Sequence, residues 1–242
     1  MPPPLSIVLP AYNEEGNIER AVRTAAATAQ GLVEDYEVLV VDDGSRDATA
    51  LRLAGLQTEL GTRLRVVRHP SNQGYGAALR DGFAAAKGDL VFYTDSDNQF
   101  DLSQLADFLP LMKDADVAVG YRQDRKDTAL RRVSSAVFNR LACLVFGLSL
   151  RDLNCSFKLF RREVLRDLTI ESDDFFVDTE MMARIQGAGW RVVQRGVRHL
   201  PRTAGHSSVR GRDVPRTLLA LARTWVRLRG ERRAALSADA RP

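Results

Sequence analysis

The chain has 242 residues, of which 45% are hydrophobic and 27% are charged, and its net charge is +4. This composition is typical of a soluble globular protein, and the length suits one sizeable α/β domain or two small ones. No apolar run approaches the ~20 residues that cross a bilayer, and the amino terminus lacks the basic and apolar regions of a signal peptide. The two cysteines form neither a disulfide framework nor a metal cluster. We therefore expect a cytoplasmic protein.

Strands and helices alternate over the first 120 residues. The predicted strands are short apolar and β-branched runs, as expected when both faces are covered: Leu5–Pro10, Tyr36–Val41, Arg63–Arg68, Leu90–Thr94 and Asp116–Val119. Helical patterns separate them at Glu15–Ala29, Asp47–Leu60, Gly76–Ala86 and Leu102–Met112. The alternation predicts a Rossmann-like, doubly wound and mostly parallel α/β sheet, which binds ligands beyond the carboxyl ends of its strands.

A polar motif follows each of these strands. The motifs are Pro10-Ala11-Tyr12-Asn13-Glu14, Asp42-Asp43-Gly44-Ser45, Asn72-Gln73-Gly74-Tyr75-Gly76, Asp95-Ser96-Asp97 and Gly120-Tyr121-Arg122. Any one of them is explained as turn chemistry, since Gly, Asn, Asp and Ser favour turns. Because all five follow strands of one sheet, we expect five loops that converge on a single crevice.

The second half of the chain is less regular. Helices are predicted at Thr128–Phe146 and Phe176–Gly187, and short strands at Phe157–Phe160 and Trp190–Val193. No linker rich in Gly, Ser or Pro separates the two halves. We therefore divide the chain into one domain over residues 1–210, a C-terminal helical extension over residues 211–230 and a disordered tail over residues 231–242.

Arginine is concentrated near the C-terminus. Residues 195–233 contain eleven Arg and two acidic residues, although the whole chain is only +4. The concentration suggests an anionic partner, which would be nucleic acid, a membrane surface or a phosphorylated substrate. A genome biased toward Arg would explain the scarcity of Lys but not the clustering. Nucleic acid is disfavoured, because the arginines are not interleaved with aromatic residues and no known binding module is recognisable.

The helix predicted from Val214, with Asp213 as its N-cap, is cationic and amphipathic. Its apolar stripe comprises Val214, Leu218, Leu221, Trp225 and Leu228, and another face carries Arg216, Arg223 and Arg227. Two interpretations stay open. The helix lies at a membrane interface, which makes the protein peripheral on the inner face of the membrane or the partner of a membrane protein, or it packs its stripe on the domain.

Asp95 and Asp97 are two carboxylates one residue apart at the end of a strand, where both can reach one cation. Mg²⁺ prefers oxygen ligands and typically combines one or two carboxylates with substrate phosphates. Gln99 adds a neutral oxygen, and the lack of a His/Cys cluster argues against zinc. We predict Mg²⁺ or Mn²⁺ held by Asp95, Asp97 and Gln99 against a diphosphate leaving group.

Two other classes of nucleotide-binding protein are disfavoured. Gly74 and Gly76 resemble a phosphate-binding turn, but the third Gly of a dinucleotide fingerprint is missing and the motif follows the third strand. There is also no Walker A sequence. A Rossmann dehydrogenase and a P-loop nucleotidase are therefore both poor matches.

The four motifs that contain Pro10, Asp42, Gly74 and Asp95, in this order and spacing, resemble glycosyltransferase family 2, whose members are inverting enzymes of the GT-A fold. The similarity covers roughly residues 5–208 and continues through Gly120-Tyr121-Arg122, Asp152-x-x-Cys155-Ser156-Phe157-Lys158, Asp178-x-Glu180 and Arg202-x-x-Gly205-x-Ser207. The branch that it most resembles comprises dolichyl-phosphate mannosyltransferases and polyprenyl-phosphate glycosyltransferases.

The resemblance implies a nucleotide-diphosphate sugar of GDP-mannose or UDP-hexose type as donor and a polyprenyl phosphate as acceptor. Donor binding is implied for Pro10, Tyr12, Glu14, Asp42, Asp43, Gly74, Asp95, Ser96 and Arg122. Acceptor-phosphate binding is implied for Arg131 and Ser207, and a catalytic role for Asp97, Asp152 and Arg202. Arginine suits such sites because its planar fork binds phosphate bidentately. For Arg131, a solvated helix face stays open as the alternative.

Three carboxylates compete for the role of general base. A hydroxyl acceptor needs a base, whereas a lipid phosphate is already anionic and needs only alignment. Asp152 is either that base or an orienting group, and Asp178 and Glu180 are either bases or favourable charges near a helix N-terminus. Two positions depart from the family pattern: Ser156 stands where Gly is usual, and Ser208 stands where a basic residue is usual. Because of these departures, the resemblance does not identify the acceptor or the sugar. Transfer to a saccharide or small-molecule hydroxyl, and a nucleotide-sugar-binding subunit without turnover, therefore stay open.

Overall fold

A computed structural model describes residues 3–123, 129–201 and 214–239. The strands are β1 (Leu5–Ala11), β2 (Tyr36–Asp42), β3 (Leu64–Arg68), β4 (Leu90–Thr94), β5 (Val117–Gln123), β6 (Phe157–Arg161) and β7 (Val192–Arg198). They form one sheet in the order β3-β2-β1-β4-β6-β5-β7. Strand β6 runs antiparallel to β4 and β5, and the other pairs are parallel. The mostly parallel sheet predicted from the sequence is confirmed.

Helices cover both faces of this sheet. They are α1 (Ile18–Gln30), α2 (Thr49–Leu60), α3 (Tyr75–Ala85), α4 (Ala129–Phe146), α5 (Arg162–Arg166), α6 (Val177–Gly187) and α7 (Val214–Asp239). One hydrophobic core contains α1, α2 and the inner face of the sheet beside them. The other contains α3, α5 and α6, with side chains from α4 and α7. Because β1 to β4 are parallel, their carboxyl ends lie together at the same end of the sheet.

One predicted helix is wrong. Residues Leu102–Asp107 and Leu109–Lys113 form two short 3₁₀ segments where a single α-helix was expected. Asp101 starts the first segment by accepting from the backbone N–H of Ser103. Pro110 lies in the first turn of the second segment, where its ring and its missing N–H prevent one continuous α-helix.

Strand β5 is longer than the sequence suggested. Gly120, Tyr121 and Arg122 pair with residues of β7, so they belong to a strand and not to a loop. The prediction of a fifth loop at Gly120-Tyr121-Arg122 is therefore wrong. Its cause is non-local, because β5 and β7 pair in parallel over the whole of both strands.

Helix α7 packs on the domain. Leu221 and Leu228 are buried in the core shared with α6, and Arg227 donates to Glu180 at 2.6 Å. This arrangement matches the second of the two interpretations of the amphipathic stripe; the side chains of Val214, Arg216 and Leu218, like all of Asp213, lie outside the described residues.

The C-terminal boundary of α7 differs from the expected one. The helix continues to Asp239, which corrects the disordered tail predicted from residue 231. Residues 232–236 read Arg-Arg-Ala-Ala-Leu, and all of these are strong helix formers. None of the helices in the described part of the chain is long and apolar enough to cross a membrane.

Two helical glycines make a matched test of packing against the sheet. A Cβ at Gly82 of α3 would lie 2.5 Å from Cγ1 of Val8, whereas a Cβ at Gly55 of α2 would meet nothing within 4 Å. Gly82→Ala should lower the free energy of unfolding by about 1–3 kcal/mol through overpacking. Gly55→Ala should raise it by about 0.5–1 kcal/mol, because alanine is the better helix former. Denaturant unfolding measures both changes, and a stabilised Gly82→Ala variant would contradict the packing.

Candidate functional site

Hydrogen bonds join the loops after β1, β2 and β4. Asn13 adopts a left-handed backbone with φ of 54°, which Asn tolerates better than most residues. Its N–H donates to Oγ of Ser45 at 2.9 Å, and its side chain accepts from the amide of Arg46. The hydroxyl of Ser96 donates to the carbonyl of Pro10 at 2.9 Å. Three of the predicted motifs therefore meet at one edge of the sheet.

Asp43 holds the third loop in place. Its two carboxylate oxygens accept from the backbone amides of Gln73 at 2.7 Å and Gly74 at 2.9 Å. Nδ1 of the buried His69 lies 2.7 Å from Oδ1 of Asp43, and Nε2 lies 2.9 Å from Asp81. Asp43 thus shapes the loop from the inside of the protein, and its direct contact with a nucleotide stays a prediction.

The neighbouring carboxylate of Asp42 is arranged differently. It is fully buried, and its Oδ1 accepts from the amide of Ser45 at 2.9 Å. Its Oδ2 lies 3.3 Å from Nε of Arg68 but accepts no hydrogen bond from the described residues. Arg68 also lines a cavity of about 380 Å³ at the mouth of β2 and β3. A buried acceptor without a donor is costly, so a ligand N–H at this oxygen would be stabilising.

The glycines at positions 74 and 76 are required by packing. A Cβ at Gly74 would lie 2.2 Å from the carbonyl oxygen of Asp173, and a Cβ at Gly76 would lie 1.9 Å from that of Ser172. The amide of Gly76 donates to Asp173, while that of Gly74 donates to Asp43. Both amides are bonded within the protein. The glycine spacing that resembles a phosphate-binding turn is therefore explained by the close approach of the backbone at Ser172 and Asp173.

Asp95 and Asp97 lie where the loops meet. The oxygens of Asp95 accept from the hydroxyl of Tyr75 at 2.8 Å and from that of Ser156 at 2.5 Å. Burial, and next the charge of Asp97, raise the pKa of Asp95 to about 6. Asp97 is itself buried, and its Oδ1 accepts from the amide of Gln99 at 3.1 Å. A cation would relieve the repulsion between the two carboxylates.

The donor atoms at this point fit a divalent cation that prefers oxygen. Asp95, Asp97 and Gln99 supply carboxylate and amide oxygens, and the side-chain nitrogen of Gln99 donates to the carbonyl of Leu200 at 3.3 Å. Within the described residues, no group of three or more His, Cys, Asp or Glu side chains is gathered as a metal cage. A site completed by substrate phosphates needs no such cage.

Arg122 and Asp152 form a bidentate ion pair at the end of β5. Nε of Arg122 lies 2.7 Å from Oδ2 of Asp152, and Nη2 lies 2.8 Å from Oδ1. Asn139 of α4 supports the same loop, because its side chain donates to the carbonyl of Arg151 at 3.1 Å and accepts from the amide of Leu153 at 2.8 Å. The arrangement suits orientation of a substrate; a role of Asp152 as general base stays a prediction.

The two other candidate bases are buried and paired. Asp178 accepts from Nζ of Lys158 at 2.6 Å. Glu180 accepts from the amide of Ser172 at 2.8 Å and from Arg227 at 2.6 Å. Burial raises the pKa of Glu180, but the hydrogen bonds from Ser172 and Arg184 and the charge of Arg227 together outweigh it, so the pKa is lowered. These contacts favour the structural interpretation of both carboxylates.

The other predicted residues are placed as follows. Pro10 is buried at the end of β1, the ring of Tyr12 is 40% exposed, and Glu14 accepts from the side chain of Asn17 at 2.6 Å. Arg202 and Ser207, and the side chain of Arg131, lie outside the described residues. Their predicted roles stay predictions.

The contacts of four residues that hold the site were not predicted from the sequence. Tyr75 and Ser156 lay inside the motifs, and only their bonds to Asp95 were missed. His69 and Asn139 lay in segments without a motif, and their partners are distant in the chain. No sequence signal could have identified these two.

The fold and the loop cluster define the class of protein. The structure superimposes on glucosyl-3-phosphoglycerate synthase from Mycobacterium tuberculosis, determined with Mn²⁺, UDP and glucosyl-3-phosphoglycerate, with a TM-score of 0.66 at 23% identity over 90% of this chain and 80% of that one. The fold is therefore that of the GT-A glycosyltransferases. The family described as Glycosyl transferase family 2 matches residues 6–169. The chain belongs to this family.

Curated relatives agree with this assignment. Glycosyltransferase AglD of Haloferax volcanii is 35% identical over 238 residues, which are 93% of this chain and 37% of that protein. Undecaprenyl-phosphate 4-deoxy-4-formamido-L-arabinose transferase of Enterobacter sp. is 32% identical over 162 residues, or 66% of this chain and 50% of that protein. The chain spans half or less of the length of these relatives.

Proposed function

We propose that this chain is a metal-dependent inverting glycosyltransferase that moves a sugar from a nucleotide-diphosphate sugar to a polyprenyl phosphate. The observation that carries the proposal is the carboxylate pair of the half-buried Asp95 and the buried Asp97 at the meeting point of four loops. The polyprenyl phosphate is suggested by the undecaprenyl phosphate in the name of a relative. The reaction would take place in the cytoplasm, at the inner face of the membrane.

The nucleoside would lie over β1 and β2. The exposed ring of Tyr12 offers a stacking face, and the buried Oδ2 of Asp42 offers an acceptor for a base or ribose donor. Both uracil and guanine present an N–H group, so these contacts suit either base.

The diphosphate would lie against Asp95, Asp97 and Gln99. When bound there, Mg²⁺ or Mn²⁺ would neutralise the leaving diphosphate as a Lewis acid. The residues of the chain hold the ligand atoms in place. Tyr75 and Ser156 fix Asp95, and the turn at Asn98 bonds Asp97 to the amide of Gln99.

The pair of Arg122 and Asp152 would align the acceptor. A phosphate oxygen is already anionic, so it can attack the anomeric carbon from the side opposite the diphosphate without a general base. The fork of Arg122 occupies both oxygens of Asp152, which supports an orienting role. A hydroxyl acceptor, the alternative, would require Asp152 to leave this pairing and take a proton.

Contact with the membrane would involve α4. Val133, Val137, Leu141 and Leu144 are exposed and lie on one side of this helix, which we call the α4 apolar face. The helix contains Arg131, Arg132 and Arg140 and no acidic residue. An apolar face with a basic helix complements an anionic lipid surface. On α7, by contrast, Leu221 and Leu228 of the apolar stripe are buried against the domain.

The first prediction from the proposed function concerns the acidic pair. Asp97→Ala should reduce transfer by about a hundredfold or more, as expected when a group that stabilises transition-state charge is lost. The exposed Asp114→Ala variant is the control and should be unchanged. Product mass measures transfer from UDP- and GDP-sugars to a short polyprenyl phosphate with Mn²⁺ or Mg²⁺. Full activity in the presence of a chelator would contradict the proposed metal dependence.

The second prediction separates the two acceptor classes. With a polyprenyl phosphate, Asp152→Asn should lower kcat by about tenfold or less, because only alignment is lost. With a hydroxyl acceptor and Asp152 as base, the loss should be about 10²–10⁴-fold. Steady-state kinetics with both acceptor types measure the difference, and the exposed Asp167→Asn variant is the control. A loss of the larger size on the lipid phosphate would contradict our assignment.

The third prediction concerns the α4 apolar face. Replacement of both Val137 and Leu144 by Ser should weaken binding to vesicles of phosphatidylcholine and phosphatidylglycerol by roughly tenfold or more, because burial of each apolar side chain stabilises by about 1.5–3 kcal/mol. Leu51→Ser on α2 removes an equally exposed leucine and should have no effect. Flotation measures binding; equal flotation of all three proteins, or none of the native chain, argues against the surface.

A further inference from the structure

A buried histidine begins the loop that joins β3 to α3, residues 69–74, which we call the β3–α3 loop. The amide of His69 donates to the carbonyl of Asp42 at 2.9 Å, beside the last residues at which β2 pairs with β3. The residue is only 4% exposed. Its Nδ1 lies 2.7 Å from Oδ1 of Asp43, and its Nε2 lies 2.9 Å from Oδ2 of Asp81 on α3. The imidazole is therefore held between the turn after β2 and a helix.

Asp43 connects this ring to the rest of the β3–α3 loop. The same Oδ1 that lies beside His69 also accepts from the amide of Gln73 at 2.7 Å, and Oδ2 accepts from the amide of Gly74 at 2.9 Å. The carboxylate thus has the ring and two backbone amides as partners. Loss of the contact with the ring would free it to turn away from the two amides.

The loop ends beside the acidic pair. Gly74 is the N-cap of α3, and Tyr75, the first residue of that helix, donates from its hydroxyl to Oδ1 of Asp95 at 2.8 Å. Asp43 and Asp95 therefore bond to adjacent residues of the chain. The nucleoside side of the proposed site is joined to its cation side by these hydrogen bonds, and His69 lies at the buried end of the series.

The protonation of the ring determines whether it can hold Asp43. A neutral imidazole has one N–H, and the imidazolium has two. An ionised carboxylate can only accept, so a hydrogen bond to Asp43 requires a proton on Nδ1 in either form. A residue that only filled space would not need this proton, because an apolar side chain of similar volume often stabilises a core as well as a buried polar pair does.

We propose that His69 is a positioning residue for the binding of a nucleoside diphosphate, which acts through its Nδ1–H on Asp43 and through Asp43 on the β3–α3 loop. The ring itself need not touch the ligand. The inference rests on the proposed function for the identity of that ligand, a nucleoside diphosphate with its divalent cation. It does not depend on the sugar or on the acceptor.

Asparagine and glutamine form a matched pair of test variants, because each reproduces one nitrogen of the ring. The amide nitrogen of His69→Asn can take the place of Nδ1 and bond to Asp43, so this variant should bind UDP or GDP with Mn²⁺ like the native chain. That of His69→Gln takes the place of Nε2 and reaches only Asp81. We expect it to raise the dissociation constant about tenfold, the effect of one lost hydrogen bond to a charged group. Isothermal titration calorimetry on the full chain measures both.

The comparison separates positioning from stability. Both variants lose one contact with a carboxylate, and denaturant unfolding measures what each loss costs the fold. Equal weakening of nucleotide binding in the two variants, or native affinity in His69→Gln, would overturn the inference. The Asp43→Asn/His69→Gln double variant should bind no more weakly than Asp43→Asn alone, since His69 acts through Asp43. Additive losses would also overturn the inference.

A spectroscopic measurement on the native chain does not require any variant to fold. Nitrogen-15 NMR shows which ring nitrogens carry protons, and sequential assignment identifies His69 among the three histidines of the chain. We expect a proton on Nδ1. A ring with its only proton on Nε2 could not donate to Asp43 and would overturn the inference.

Failure of the proposed function would look different. A native chain that binds UDP or GDP with Mn²⁺ but transfers no sugar to any acceptor would contradict the proposed function alone, and the variant series would still apply. A native chain that binds neither nucleotide would overturn the inference itself.

Discussion

The close approach of residues 172–173 to Gly74 and Gly76 is the constraint on which the site depends. Because neither glycine has a Cβ, the two backbones touch, and the amide of Gly76 bonds to Asp173. On the far side, the amide of Ser172 donates to Glu180, which also binds Arg227 of α7. Helix α7 and the loop that contains Gly74 and Gly76 are therefore parts of one packed unit, although they are far apart in sequence.

The carboxylates around this unit are stabilised in different ways. Asp43 accepts from backbone amides, whereas Asp152 and Asp178 are paired with Arg122 and Lys158. Asp95 instead accepts from two hydroxyl groups beside Asp97, and its raised pKa reflects burial and the neighbouring charge. A cation bound at Asp95 would therefore supply the type of partner that Asp152 and Asp178 already have in Arg122 and Lys158.

Much of the fold could be predicted from the sequence because the signals are local. Buried parallel strands such as β1 and β4 are continuous apolar runs, and their loops are marked by polar motifs. The remaining features depend on partners that are distant in the chain. The extension of β5 requires β7, and the glycine spacing at 74 and 76 requires residues 172–173. The pairing of Arg122 with Asp152 also appears in no local pattern, so the sequence suggested two roles where the structure shows one ion pair.

The proposed donor and acceptor halves of the site are held by different elements, and this matters for how the protein would use a lipid. The donor loops are bonded to one another and to residues 172–173. On the acceptor side, Asn139 of α4 holds the loop that carries Asp152, and the opposite side of the same helix is the α4 apolar face. If α4 is the surface that meets the bilayer, the position of Asp152 is set by the helix that rests on the membrane. The acceptor phosphate would then be aligned relative to the lipid surface, while the donor site keeps its geometry independently of it.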